Sequence, residues 1–285
     1  LDYAELLPIR SKNSHKYNCG SLLIIAGSSK YTGAAMLTTG AALRSGAGMI
    51  TSAVPGSCTK PVLIHNPEAV IEQLVEAISC AGVHKIQVVL SPNKYSIVRH
   101  LGSGSKYGVE ITYRIQEDPM GTADAVSICR EFVGKEHFLV AYGDTYLENN
   151  EVIRQLIEVF DSKKVDFALT VQRVSDPDGF GLVKVDDDRN IIGLVEKPDP
   201  EDAIPYKIGE YYLAIRGFLV FQSSMMSYIS ETQAGKKGEK WLTDSLRNAL
   251  DNGCHGSVFI SKSDIMDIGA HKVLNELRER KKRIE

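Results

Sequence analysis

The residues able to do chemistry in this 285-residue chain are carboxylates, lysines and a set of glycine-marked turns. Asp144 follows the apolar run Phe138-Leu139-Val140-Ala141 and the pair Tyr142-Gly143. An aspartate just past the carboxyl end of a parallel strand lies where open α/β sheets bind ligands. There it can hold a hard cation such as Mg²⁺, which bridges phosphate oxygens. A plain turn aspartate is the other reading of the same residue. Asp267 lies within Ile265-Met266-Asp267-Ile268-Gly269. A carboxylate among apolar neighbours needs a partner, because burying an unpaired charge is costly. A cation would serve, and so would the start of a helix near Ala270.

Three further groups bear on binding. Gln116-Glu117-Asp118-Pro119-Met120-Gly121-Thr122-Ala123 puts a polar strand end ahead of a Gly-Thr helix start. Gln116 offers a donor and an acceptor on one group, which suits a base edge, and Gly121 lets a flat ring approach the backbone. An ordinary helix N-terminus accounts for Gly121 and Thr122 equally well. Glu196-Lys197-Pro198 follows the strand-like run Ile191 to Val195. Glu196 could accept sugar hydroxyl protons and Lys197 could meet a phosphate as a point charge; an exposed ion pair at a turn is the alternative. Finally, Gly27-Ser28-Ser29-Lys30-Tyr31-Thr32-Gly33 leads into an Ala-rich segment. A small-residue loop before a helix N-terminus can receive phosphate, which makes Gly27, Ser28, Lys30 and Gly33 phosphate-loop candidates. The loop is neither G-x-x-x-x-G-K-[ST] nor G-x-G-x-x-G.

The elements that must position these residues follow from periodicity. Ser21 to Ala26 and Met49 to Val54 are short apolar runs on either side of the Ala-rich segment 34–45, the pattern of a βαβ unit with parallel strands. Residues 55–67 carry three prolines and no clear period, and read as a linker. Val70, Ile71, Leu74, Val75 and Ile78 then recur at helical spacing, with Gly82 just past the end. Ile86 to Leu90 reads as a buried strand. Asn150 is placed to cap a helix with Val152, Ile153, Leu156, Ile157 and Phe160 on one face. Strand-like runs at 166–171, 181–185, 191–195 and 211–221 are separated by Asp-Pro, Asp-Gly and Asp-Arg-Asn turns. The expected fold is α/β and three-layered, with a mostly parallel Rossmann-like sheet and a smaller antiparallel subsheet.

Composition narrows the function classes. A net charge of −3 gives no general attraction to nucleic acid or anionic membrane, so neither is an expected partner. The basic stretch Arg278 to Arg283 is interleaved with Glu276 and Glu279 and reads as a solvated terminal helix. No apolar run approaches the roughly 20 residues that span a bilayer. The opening Leu1-Asp2-Tyr3-Ala4-Glu5 lacks the basic and apolar regions of a signal peptide and an initiator Met, as a fragment or processed product would. Five scattered cysteines without a CxxC pair read as reduced thiols of a cytoplasmic protein. Oligomeric state stays open, a homo-oligomer included.

In order and spacing, Gln116…Gly121-Thr122-Ala123, Gly143-Asp144, Glu196-Lys197-Pro198, Leu242-Thr243-Asp244 and Asp267-Ile268-Gly269 together resemble the glucose-1-phosphate thymidylyltransferase and uridylyltransferase family. The resemblance covers residues 70–285. It implies that Gln116, Gly121 and Thr122 belong to the nucleotide site, with Gln116 and Gly121 facing the pyrimidine base. Asp144 and Asp267 would hold Mg²⁺, Glu196 the sugar hydroxyls and Lys197 the sugar phosphate. Asp144, Lys197 and Asp267 are then the catalytic set. The implied reaction joins dTTP or UTP to a hexose 1-phosphate and releases pyrophosphate. The family's opening strand and its G-x-G-T-R loop are not found ahead of Glu68. Residues 7–69 instead resemble the N-terminal part of the ADP-dependent NAD(P)H-hydrate dehydratases, which are ribokinase-like. That likeness rests on Leu7-Pro8-Ile9-Arg10, Ile25-Ala26-Gly27-Ser28, Tyr31-Thr32-Gly33-Ala34-Ala35 and Ala42-Leu43-Arg44-Ser45-Gly46-Ala47-Gly48. The expectation is therefore a chimera: a βαβ segment over 1–69 joined to a transferase domain over 70–285 that lacks its first strand and Gly-rich loop. The alternatives are a dehydratase fragment and a non-catalytic sugar-nucleotide-binding chimera.

Overall fold

The computed structural model describes residues 21–267 apart from 29, 46–48, 56–57, 59–66, 93 and 236–237. The expected helices near Ala270 and over 278–283 lie outside the described residues, as do Ile268 and Gly269. The chain divides into two compact units, Leu1–Val70 and Ile71–Glu285.

In the first unit β1 (Ser21–Ile25), α1 (Thr32–Ser45) and β2 (Met49–Ala53) form the expected βαβ arrangement. The strands pair in parallel, from Ser21 opposite Met49 to Ile25 opposite Ala53. Buried Ala35, Thr39 and Ala42 recur at helical spacing on α1. Small side chains there let helix and strand approach closely, and the Thr39 and Ser52 hydroxyls hydrogen-bond at 3.0 Å. Leu23 and Ile25 of β1 are exposed. Gly33, expected in the loop, lies in the first turn of α1.

The second unit is entered through α2 (Pro67–Cys80), which ends as predicted: Gly82 adopts φ 89° and its N–H bonds the Ser79 carbonyl. Two apolar faces of α2 serve two clusters. Val75 packs with Leu101, Val109 and Ile111. Those residues belong to the layer of β3 (Lys85–Leu90), α3 (Tyr95–Leu101) and β4 (Glu110–Ile115), in which β3 and β4 are parallel. Leu74, Ala77 and Ile78 pack into the main core. Helix α4 (Thr122–Ser127) then leads to β5 (Phe138–Ala141) and β6 (Thr145–Leu147).

Next comes α5 (Glu151–Lys163), which buries Val152, Ile153, Leu156 and Phe160, the face its sequence predicts. Its cap differs by one residue. Asn149 rather than Asn150 accepts a hydrogen bond, from the Glu151 N–H at 2.9 Å, because Asn150 already has helical backbone angles.

The central sheet holds β7 (Phe167–Val174), β8 (Leu182–Val185), β9 (Ile191–Val195), β10 (Tyr212–Phe221) and β11 (Gly256–Ile260), with β5 alongside β10. Helices α6 (Met225–Ser230) and α7 (Leu242–Asp251) follow β10, and β12 (Ile265–Asp267) pairs with β6.

The expectation of a mostly parallel sheet is corrected here to a mixed one. β10 runs antiparallel to β5, β7 and β8, and β8 to β9, while β11 runs parallel to β7. The physical reason is connection length. Asp186–Asn190 closes a tight turn between β8 and β9, and such turns join only antiparallel strands. Phe167, Phe218 and Phe221 are fully buried where these strands meet. Each contributes about 1.5–3 kcal/mol of burial. Among the described residues, the edge of β3 opposite β4 and the edge of β5 opposite β10 have no paired strand. No described helix is long and apolar enough to cross a membrane.

Candidate functional site

A cavity of about 1070 Å³ in the second unit is lined by β3 from Lys85 to Leu90 and by β5 from Phe138 to Ala141. At the carboxyl ends of these strands it reaches Gln116, Asp144, Glu196, Lys197 and Asp267. Two contacts bring those ends together. The Gln116 side chain donates to Asp124 on α4 at 2.9 Å, and the Thr122 hydroxyl bonds that of Tyr142, just after β5. The cavity thus opens where ligands bind in open α/β sheets.

The predicted carboxylate pair is assembled by the short β6–β12 ladder, which sets Asp267 opposite Thr145 and hence beside Asp144. The two side chains hydrogen-bond. Partial loss of bulk water, and then the adjacent Asp267 charge, push the Asp144 carboxyl up to about 6. Two carboxylates that resist ionising together form a donor set that a hard divalent cation relieves. Among the described residues no group of three or more His, Cys, Asp or Glu could ligate a metal. A cation here would complete its shell with water and ligand oxygens, the habit of Mg²⁺. The residues fit such an ion.

Glu196 is held rather than loose. The Thr243 hydroxyl donates to its Oε2 at 2.6 Å, and burial raises its pKa although Thr243 and Lys197 oppose the shift. Gly181 faces this carboxylate: a β-carbon there would lie 3.0 Å from Oε2. Lys197 has φ 38°, which turns its side chain back over the site. Its ammonium is 3.8 Å from Glu196 Oε1 and 3.9 Å from the centre of the Trp241 ring.

Gln116 and Gly121 differ in what they do. Gln116 Nε2 donates to the Gly121 carbonyl and to Asp124 Oδ2, so the amide is fixed with its orientation set by α4. Gly121, at φ 106°, lies against the Lys240 backbone. This chain crossing by itself requires glycine there. Thr122 Oγ1 also accepts the Leu242 N–H at 3.0 Å, tying α4 to the start of α7.

In the first unit, Gly27 has φ 84° and a β-carbon there would press on Ala35 at 2.8 Å. The Tyr31 N–H is engaged by the Ser28 carbonyl and hydroxyl, and the Ser28 N–H by the Tyr31 carbonyl. Two loop amides are therefore committed within the loop. Lys30 is exposed.

Sequence reasoning passed over Tyr142, Phe180, Arg216 and Trp241, all of which line the cavity. Two signals were available: Trp241 is the chain's one tryptophan, and Arg216 is the single charged residue of β10.

A mixed α/β layer carries paired carboxylates and a lysine at its strand ends. The comparisons show the family. Residues 53–283 match the family model described as nucleotidyl transferase, and the chain belongs to that family. The match begins at residue 53, ahead of the start near residue 70 expected from the sequence. The low-salt glycan biosynthesis nucleotidyltransferase Agl11 of Haloferax volcanii is 33% identical over 215 residues, 72% of this chain and 57% of that protein. A glucose-1-phosphate thymidylyltransferase of Streptomyces antibioticus is 29% identical over 195 residues, 68% of this chain and 50% of the relative. The chain thus spans about half the length of these relatives. A Bacillus anthracis structure assigned to glucose-1-phosphate thymidylyltransferase, solved with sucrose, superposes with a TM-score of 0.62 at 28% identity, covering 74% of this chain and 82% of that one. A UDP-glucose pyrophosphorylase solved with UDP-glucose shares the fold at a TM-score of 0.61 and 20% identity, over 76% of this chain and 87% of that one.

Proposed function

We propose that the second unit transfers a nucleotidyl group from dTTP or UTP to a hexose 1-phosphate, giving a nucleotide-sugar and pyrophosphate. The observation that carries this reading is the convergence of Asp144 and Asp267 with Glu196 and Lys197 at one end of one cavity. A phosphate oxygen of the sugar ester attacks the α-phosphorus, and the bond from that phosphorus to pyrophosphate breaks. Such a displacement depends on alignment and on neutralising charge. A Mg²⁺ ion held by Asp144 and Asp267 supplies part of that neutralisation when bound.

The chain's own residues do the rest. With its Nε2 engaged by Gly121 and Asp124, Gln116 offers Oε1 to the N3–H of a uracil or thymine ring. Glu196, fixed by Thr243, accepts from sugar hydroxyls. Lys197 swings from Trp241 to the sugar phosphate.

For the domain plan, our reading is a transferase domain over 70–285 lacking its first strand and Gly-rich loop, behind a dehydratase-like segment over 1–69. In support, the cavity runs between the unpaired edges of β3 and β5, and the N-terminal motifs keep their order.

The test is pyrophosphate release from dTTP or UTP with glucose 1-phosphate and Mg²⁺. Release should require both substrates and the metal, and Asp144→Ala should lower it by about 100-fold or more. Unchanged release in that variant would reject the assignment. No release from folded wild-type protein would leave a sugar-nucleotide-binding module.

A further inference from the structure

We propose that Asp124, braced by Lys240, is the positioning residue that sets base specificity in this cavity: it locks the Gln116 amide so that a uracil or thymine ring is accepted and a cytosine ring refused. The proposal rests on the nucleotidyl-transfer reading only for placing the base at Gln116.

Gln116 is held at its backbone and at its amide. Its backbone N–H donates to the Leu90 carbonyl at 2.8 Å, at the end of β3. Its Nε2 donates to Asp124 Oδ2 at 2.9 Å and to the Gly121 carbonyl at 3.3 Å. A carboxylate and a carbonyl only accept, so the group facing them has to be the NH2 of the amide and not its oxygen. The Gly121 carbonyl also accepts the Ala125 N–H at 3.1 Å. The Asp124 carboxylate, at the shorter distance, is therefore the stronger hold. Asp124 is steadied in turn by the Lys240 ammonium, 3.8 Å from its Oδ1. The Lys240 N–H donates to the Met120 carbonyl at 2.7 Å and its carbonyl accepts the Ala123 N–H at 2.9 Å, so this lysine starts from backbone tied to the neighbours of Asp124. A partly exposed pair of that length adds little stability. What it does is occupy one oxygen of Asp124 and leave the other turned to Gln116.

Gln116 lines the cavity, whereas Asp124 and Lys240 do not, so both act through the amide. With Nε2 turned to Asp124, the atom left for a ligand is Oε1, an acceptor. Uracil and thymine carry an N–H at ring position 3, which can donate to it. Cytosine carries a lone pair at that position, so acceptor would meet acceptor and both would lose their bonds to water. An amide free to turn over would suit either base, because its two ends are alike in size and differ only in chemistry. The carboxylate removes that freedom. A wrong ligand that leaves polar groups unpaired is refused far more strongly than one that merely loses contact area.

The test is calorimetric titration with UDP-glucose and CDP-glucose, which differ only in the base, in Mg²⁺ and without pyrophosphate so that nothing turns over. Wild type should prefer UDP-glucose by about 30-fold or more. Asp124→Asn keeps the size of the side chain but can either accept from Gln116 or donate to it. The preference should then fall by about 10-fold, chiefly through tighter binding of CDP-glucose. Asp124→Glu, again acceptor-only, should retain most of the preference, and Lys240→Met should lower it by a smaller factor than Asp124→Asn. If Asp124 only ties α4 to the chain at residue 240, Asp124→Asn will lower the melting temperature and weaken both ligands alike. That result, equal affinity of wild type for the two ligands, or binding of neither, overturns the proposal. Pyrophosphate release from UTP and glucose 1-phosphate, measured on the same preparations, separates the two readings. A base preference set by Asp124 in a protein that releases none rejects the transfer reading and leaves this one standing. Release with a preference that Asp124→Asn does not move has the reverse meaning.

Discussion

Gly121 shows how a single residue can be demanded by the site's scaffold. Its φ of 106° lies where side chains are strained, and a β-carbon would collide with the Lys240 carbonyl and sit 2.7 Å from the Lys240 nitrogen. That crossing is stitched by two backbone bonds, Lys240 N–H to the Met120 carbonyl and Ala123 N–H to the Lys240 carbonyl. Gly121→Ala should therefore cost about 1–3 kcal/mol of stability. Because Gln116 bonds the Gly121 carbonyl, it should also raise the KM for the nucleotide more than that for the sugar phosphate. Urea titration checks the first expectation and steady-state kinetics the second. The glycine was visible in the sequence as part of a motif, but its reason was not. The sequence suggests a ring approaching bare backbone, and the structure adds a second demand, the Lys240 backbone packed against it. The difference is long-range, since residue 240 is far from residue 121 in sequence.

The α2–β4 layer depends on one carboxylate. Glu72 on α2 accepts from Lys106 Nζ at 2.9 Å and the Tyr107 hydroxyl at 2.5 Å, with His100 Nε2 3.2 Å away. Burial by itself would raise its pKa, but His100 beside it and the hydrogen bonds from Tyr107 and Lys106 hold it well below the usual carboxylate range. A folded-state pKa below the unfolded value of 4.5 means that Glu72 stabilises the fold fully above that pH. The contribution is then lost as pH falls toward the depressed folded value. Glu72→Gln should cost about 1–3 kcal/mol at pH 7, and should flatten the loss of stability below pH 4.5. Thermal melts at a series of pH values would show both; parallel profiles for variant and wild type would contradict this account. The helix face carrying Ile71, Leu74, Val75 and Ile78 was legible from its period. The Glu72 network was not, because its partners come from an adjoining turn whose approach depends on packing.

At the scale of the whole site, the carboxylate pair is expected to make the protein less stable in the absence of a cation. Burial raises the Asp144 carboxyl first, and repulsion from Asp267 when both ionise raises it further. Asp144→Asn removes that repulsion and keeps the hydrogen-bonding shape. In EDTA at pH 7.5 the variant should melt above wild type by a few degrees, on the order of 1 kcal/mol. Added Mg²⁺ should raise the melting temperature of wild type with concentration, and leave the variant nearly unmoved. A wild-type melt insensitive to Mg²⁺ would argue against the cation site. Stability and turnover are expected to trade against each other at this position, since the same repulsion would favour a bound cation.

The sequence by itself determined the α/β class, the βαβ arrangement of residues 21–53, the apolar faces of α2 and α5, and the strands that carry Asp144 and Glu196. Periodicity and turn residues are local properties, and they act over a few residues whatever the rest of the chain does. Only the tertiary structure decided that the central sheet is mixed, since strand direction depends on how short turns return the chain. It also set Asp267 beside Asp144 through the β6–β12 ladder, anchored Glu196 on Thr243, and turned Arg216 into the cavity through the irregularity in β10. These are pairings between residues 44 to more than 100 positions apart. Side-chain direction at such pairings depends on register and backbone distortion, which a linear pattern of residue types does not encode.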